Sequence, residues 1–139
     1  MAEAIGVVGS VISIVDLCSK ILTHIRQTKD GKSEQQNLLN EVKSVKIFLV
    51  KFSEDIEDNA HLQDSHSKTV KLLLSSEGPL KRLELLLRGL LLKLTPEEGW
   101  KKYRSALTWP LEHSQVKDAL FTIERCKSWI SLALQNDHT

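Results

Sequence analysis

The side chains able to do chemistry are five histidines (His24, His61, His66, His113, His138), two cysteines (Cys18, Cys126) and a few carboxylate pairs. A metal site wants three or four His, Cys or carboxylate ligands at turn or helix spacing. His61 and His66 stand five residues apart with no Cys or further His close by to complete such a site. Nucleophilic catalysis by a thiol wants a base or a cationic pocket to lower its pKa, and neither cysteine stands beside a histidine. The pair Glu97-Glu98 follows Thr95-Pro96, which is the pattern of a helix start, where carboxylates favour the positive end of the helix dipole. Gly6-x-x-Gly9 lacks the third glycine and the preceding strand of a dinucleotide loop. The residues point away from an enzyme, with no cofactor and no metal expected.

What remains is the scaffold. At 139 residues the chain has the length of one domain, residues 1–139. Leucine occurs 23 times against six Gly and three Pro, so strong helix formers far outnumber breakers and the expected class is all-α. A net charge of +1 argues against nucleic acid as partner, because phosphate contacts need a clear basic excess. Two cysteines make no disulfide framework and fit a reducing, cytosolic setting.

Apolar periodicity divides the chain into a single bundle of four to five helices. The first spans about 2–27, with Ile5, Val8, Ile12, Val15, Ile21/Leu22 and Ile25 as its expected inner stripe; Val7, Val11 and Ile14 lie outside that stripe. Ser33 with Gln36 opens the second helix, whose Leu38, Val42, Val45, Leu49, Phe52 and Ile56 step 4-3-4-3-4 with Lys43, Lys46 and Lys51 outside. It closes in Glu54-Asp55-Glu57-Asp58, and residues 59–67 read as a loop. The third helix reads from Lys68 to Leu94 with a break or kink at Gly78-Pro79, and its leucines on nearly every side predict a central position. A short helix follows with Trp100 and Tyr103. The last helix, opened by Pro110, carries Val116, Leu120, Ile123, Ile130 and Leu134 on one face with Ala119, Cys126 and Ala133.

Two stretches depart from ordinary bundle design. Ala4 to Val15 is uncharged and shows only Ser10 and Ser13 as polar residues, while Gly6/Ser10 and Gly9/Ser13 have the small-xxx-small spacing of close-packed membrane helices. The flank Met1-Ala2-Glu3 is acidic, unlike a secretory signal, and reaching 19 residues means including Asp16 and Lys20. Composition leaves this run open between a membrane-active helix and a tightly enclosed one. Lys81 to Arg104 holds seven basic residues against three glutamates, and reads either as a solvated face or as an anion site. Residues 1–66 carry net −3 and residues 67–139 net +4.

The opening Met-Ala-Glu-Ala-Ile-Gly-Val-Val-Gly-Ser-Val-Ile-Ser-Ile-Val, the Gly78-Pro79-Leu80 break, the Leu-rich segment to Leu94-Thr95-Pro96, the Leu107-Thr108-Trp109-Pro110-Leu111 turn with Val116-Lys117 after it, Ile123-Glu124-Arg125-Cys126-Lys127 and the ending Leu132-Ala133-Leu134-Gln135-Asn136-Asp137-His138 resemble the fungal HeLo-like N-terminal domain over essentially the whole chain. The resemblance implies a helical bundle similar to the executioner domain of the necroptosis pseudokinase and to plant RPW-type domains. It implies a domain that permeabilises the plasma membrane in fungal incompatibility or immune-type cell death, once a NACHT-type receptor or an amyloid-motif partner clusters it into a homo-oligomer. It also implies an N-terminal fragment of a longer protein, cytoplasmic at rest and at the plasma membrane when active. By position, Ile5, Val8, Val11, Ile12, Ile14 and Val15 would form the membrane-inserting helix and Glu3 an acidic ring at a pore. Lys81, Arg82, Lys101, Lys102 and Arg104 would contact anionic lipid. The competing expectation is a non-lytic interaction or oligomerisation module of a STAND receptor.

Overall fold

The computed structural model describes residues 2–27, 33–58, 73, 75–95, 109 and 111–137, without the side chains of residues 2–5, 58 and 134–137. Among the described residues are four helices and no strand: α1 (Ala2–Gln27), α2 (Ser33–Asp58), α3 (Pro79–Leu94) and α4 (His113–Asp137). The chain is an all-α helical bundle. The loop at 59–67, the start of a helix at Lys68 and the short helix with Trp100 and Tyr103 lie outside the described residues.

Three of the four seams follow the sequence pattern. On α2, Leu38, Val42, Val45, Leu49, Phe52 and Ile56 are all buried, as are Leu80, Leu83, Leu87, Leu90 and Leu94 on α3. On α4 the inner line is Val116, Ala119, Ile123, Cys126 and Ile130, with Leu120 and Ala133 half-buried at its edges. The fourth seam follows the pattern only in its second half: Ile21, Leu22 and Ile25 are buried as expected, but before them Val8, Ile12 and Val15 give way to Val7, Val11 and Ile14. α1 turns Val7, Val11, Ile14, Cys18, Ile21 and Ile25 into the core, again stepping 4-3-4-3-4, while Ile12 is 62% exposed. The cause lies one and two turns further on. Ile12, Asp16 and Lys20 fall on one line at i, i+4, i+8, and the two charged residues must face water, so they carry Ile12 outward.

Pro79 begins α3 rather than kinking a longer helix. Gly78 is its N-cap in an extended conformation (φ −77°, ψ 169°), and the Gly78 amide closes a turn onto Ser75 O at 3.0 Å. Proline fits there because the first helical amides have no partner inside the helix. At the other end Thr95 caps α3, donating both its amide (2.9 Å) and its hydroxyl (2.5 Å) to Leu91 O. The rest of the expected Thr95–Glu98 capping box lies outside the described residues. α3 is not the central helix that its leucine content predicts. Leu85 is exposed and Leu92 is 78% exposed, so α3 is one stave among four.

Around the bundle the order of contact is α1, α2, α4, α3 and back to α1. The first helix therefore packs on α2 and α3 and lies diagonally across from α4, not against it as its apolar surface suggests. Four polar or mixed contacts fix the directions. Gln35 Nε2 donates to Ile25 O (2.8 Å), tying the start of α2 to the end of α1 and satisfying one of the carbonyls a helix end leaves orphaned. His113 Nδ1 meets the Glu34 carboxylate, so α4 and α2 begin at the same end. Arg82 lies 5.6 Å over the Trp129 ring, bringing the start of α3 to the later part of α4. Ser10 lines a small cavity with Leu80 and Lys81, placing the starts of α1 and α3 together.

Midway along the α2–α4 contact, Lys127 Nζ stands 3.2 Å from Glu41 Oε1, 3.2 Å from Glu124 Oε2 and 3.3 Å from Ser44 Oγ. One cation thus serves two carboxylates. Burial and the neighbouring Glu124 raise the Glu41 pKa above its ordinary 4.5, and the hydrogen bond from Glu41 lowers that of Glu124. The Lys127 pKa is raised by both glutamates against the opposing effect of burial. The lysine's contribution is therefore present below 10.5 as long as its carboxylate partners stay ionised, and it fades as pH rises above that value.

Two predictions follow from this packing. Leu87→Ala should lower unfolding free energy by about 2–5 kcal/mol through the cavity it leaves, and Leu92→Ala by less than about 0.5 kcal/mol, both read by urea denaturation. Lys127→Met should cost about 1–2 kcal/mol at neutral pH, where it leaves two carboxylates facing each other. That loss should shrink as pH falls through the raised Glu41 pKa, because a protonated Glu41 no longer needs the cation. Equal losses at pH 7.5 and pH 4 would mean that Lys127 acts only through its packing.

Candidate functional site

The six residues assigned to a membrane-inserting helix are divided by the fold. Val11 and Ile14 are in the core, Val8 and Val15 are half-buried on its flanks, Ile12 points to water, and the Ile5 side chain lies outside the described residues, as does that of Glu3. Among its described side chains α1 thus keeps one large apolar residue, Ile12, on an outer side that otherwise carries Gly9, Ser13, Asp16, Lys20 and Thr23. Residues Gly6–Gln27, 22 in all, are long and apolar enough to cross a membrane, and 39% of the apolar window is buried; a core helix of a soluble protein passes the same length test. At 1.5 Å per residue that span is about 33 Å long, matching a hydrocarbon thickness of about 30 Å. Three charges lie within it, Asp16, Lys20 and Arg26; the first two are joined, with Lys20 Nζ 3.0 Å from Asp16 Oδ2, one turn apart on the exposed face.

Gly9 and Ser13 also face outward, and a Cβ built on Gly9 would meet nothing within 4 Å. The close backbone approach that the small-xxx-small spacing suggests is therefore not made at Gly9 in this bundle.

Of the five basic residues expected at a lipid surface, Lys101, Lys102 and Arg104 lie outside the described residues. Lys81 is exposed and 3.5 Å from Glu84 Oε2, a carboxylate that also takes Arg88 at 3.0 Å. Arg82 stacks on Trp129 beside Arg125, and Phe121 stands exposed next to them. This corner of α3 and α4 joins two guanidinium groups with two solvent-facing aromatic rings. A second basic face, on α1 and α2, gathers Arg26, Lys43, Lys46 and Lys51 along one groove. Sequence reading placed three of these lysines outside the α2 seam but did not bring them together with Arg26. The signal was their i, i+3, i+8 spacing, hidden by the net negative charge of the first 66 residues.

Cys18 and Cys126 are both free and buried, and burial pushes the Cys126 thiol up from its ordinary value. Among the described residues no group of three or more His, Cys, Asp or Glu could hold a metal ion. Compared with family models, curated proteins and solved structures, the chain matches none.

The geometry at Gly9 makes a direct prediction. A helical glycine with open space at its Cβ position is less stable than alanine by about 1 kcal/mol. Gly9→Ala and Gly89→Ala, which also has nothing within 4 Å, should each raise the urea midpoint. Destabilisation at Gly9 alone would show that the N-terminal half of α1 packs more closely than it does here.

Proposed function

We propose that this chain is a membrane-targeting, membrane-permeabilising execution domain of cell death, activated by clustering, of the HeLo-like kind that its sequence resembles. The observation that carries the proposal is the position of α1: a helix of membrane-spanning length, held at a corner of the bundle with Ile12 already in water and Val8 and Val15 only half-buried. Its first half, Gly6 to Val15, carries no charge to oppose entry into hydrocarbon. On entering, it would bury Ile12 and its half-buried neighbours Val8 and Val15 as well as the residues of its own seam.

In this proposal the resting domain is cytoplasmic, with α1 seated between α2 and α3. A NACHT-type receptor or an amyloid-motif partner brings copies together, and α1 leaves its seat for the plasma membrane. Ile5, Val8, Val11, Ile12, Ile14 and Val15 would meet the acyl chains, and Glu3 at the helix tip would ring an oligomeric opening and favour cations. Lys81 and Arg82, with Lys101, Lys102 and Arg104, would hold anionic headgroups at about 1 kcal/mol each. The exposed aromatic rings beside Arg82 suit the interfacial depth at which such contacts are made.

The test uses Ile12, because its exposure separates activity from folding. Ile12→Asp places a charge near the middle of the inserting run at about 3 kcal/mol or more. The variant should keep the parent's circular dichroism and melting temperature yet lose dye release from phosphatidylserine-containing liposomes under forced clustering. Deleting residues 1–6 should have the same effect. Release equal to the parent's from both variants would remove α1 as the membrane element. A parent that clusters without releasing dye would favour the non-lytic interaction module.

A further inference from the structure

The groove between α1 and α2 is used by nothing described so far. It is a cavity of about 500 Å³, and its walls carry four cations, Arg26, Lys43, Lys46 and Lys51, against one carboxylate, Glu54. Its apolar floor is Leu22, Ile47 and Val50, of which Ile47 is 68% exposed and Val50 40%. Other cations of the bundle are held in ion pairs: Lys20 with Asp16, Lys81 and Arg88 with Glu84, Lys127 with Glu41 and Glu124. Among the described residues, no ion pair holds any of the four cations of the groove.

The α2 residues of the groove are Lys43, Lys46, Ile47, Val50, Lys51 and Glu54, at i, i+3, i+4, i+7, i+8 and i+11. They form a single outward face of the helix, about 16 Å long at 1.5 Å per residue, opposite the α2 core seam. α2 is therefore amphipathic twice over, with its second apolar line uncovered. A small anion such as a phosphate needs cations converging on one point, whereas these are strung along three turns. An elongated occupant matches both the length and the charge. An amphipathic helix lying in a groove presents apolar side chains at i, i+3/i+4 and i+7, and carboxylates on its flanks would run beside the lysines along its whole length.

We propose that this groove docks an acidic amphipathic helix from a partner protein, with Leu22, Ile47 and Val50 taking its apolar line and Arg26, Lys43, Lys46 and Lys51 its carboxylates. The inference goes beyond membrane activity and its main readout is peptide binding in solution, so it can stand or fall independently of that reading.

The probe is a labelled synthetic helix of Leu and Glu, with Leu at the i, i+3, i+7 positions, set against a scrambled peptide of the same composition. Fluorescence anisotropy should show saturable binding that weakens as salt rises. The triple variant Lys43→Glu/Lys46→Glu/Lys51→Glu should lose at least about tenfold in affinity, since rim and groove charges of one sign are reversed together. Ile47→Asp, at an exposed position that folding does not need, should lose affinity as well and serves if the triple variant fails to fold. Lys93→Glu/Lys117→Glu, at exposed positions on α3 and α4, should bind as the parent does. Equal binding of the scrambled peptide, or unchanged affinity in Ile47→Asp, would overturn the proposal. So would a triple variant that loses binding to phosphatidylserine vesicles but keeps the peptide, which would assign the groove to lipid.

Discussion

The bundle depends on a mismatch between α1 and the surface available to cover it. The first half of α1 is apolar nearly all round and would need neighbours on every side, whereas a four-stave ring offers each helix only two. The result is that α1 fills the space between α2 and α3 with one line of side chains, Val7 to Ile25, and leaves Ile12 outside. The rest of the architecture accommodates this. α4 sits across the diagonal and is held at its two edges by contacts with polar partners, the Lys127 cluster on α2 and the Arg82–Trp129 stack on α3. Those contacts are directional where the apolar seams are not, so they fix which way α4 runs while the seams fix how deeply it packs.

Sequence patterning made three seams legible for one physical reason: α2, α3 and α4 each have a single apolar line that keeps the alternating three- and four-residue step from end to end. α1 does not. Two apolar lines run along its first half at helical spacing, and periodicity alone cannot choose between them. Asp16 and Lys20 decide the choice, because the line they lie on passes through Ile12. The central position expected for the Leu-rich helix failed differently. Leucine is favoured in helices by propensity as well as by burial, so a high leucine count identifies α3 as a helix without saying how many of its sides are covered. Leu85 and Leu92 face water as a consequence.

The candidate sites were legible in the same uneven way. The lysines outside the α2 seam could be read from their spacing on the helix. The Arg26–Lys51 groove could not, because it joins two helices and because charge summed over half the chain cancels a local excess. Arg82 was visible as a basic residue, but its seat on Trp129 is a contact between residues 47 positions apart and leaves no trace in local sequence.

The ion pair Asp16–Lys20 bears on how such a helix could serve both in a bundle and in a bilayer. In the bundle it sets the orientation of α1 and keeps its outer line soluble at little energetic cost, since exposed i,i+4 pairs contribute only a few tenths of a kcal/mol. In hydrocarbon two separate charges would each demand several kcal/mol, whereas a pair joined at 3.0 Å within one helix travels as a neutral unit. Its place matters equally. Gly6 to Val15 holds no charge at all and spans about 15 Å, half the thickness of the hydrocarbon, while Lys20 lies about 10 Å from the end of the helix at Gln27. A lysine at that depth can extend its ammonium toward the headgroups. In the proposed active state the N-terminal half would therefore enter first and alone, and the pair would follow only as far as Lys20 can reach water, which makes partial insertion the natural first step and full spanning a second, costlier one.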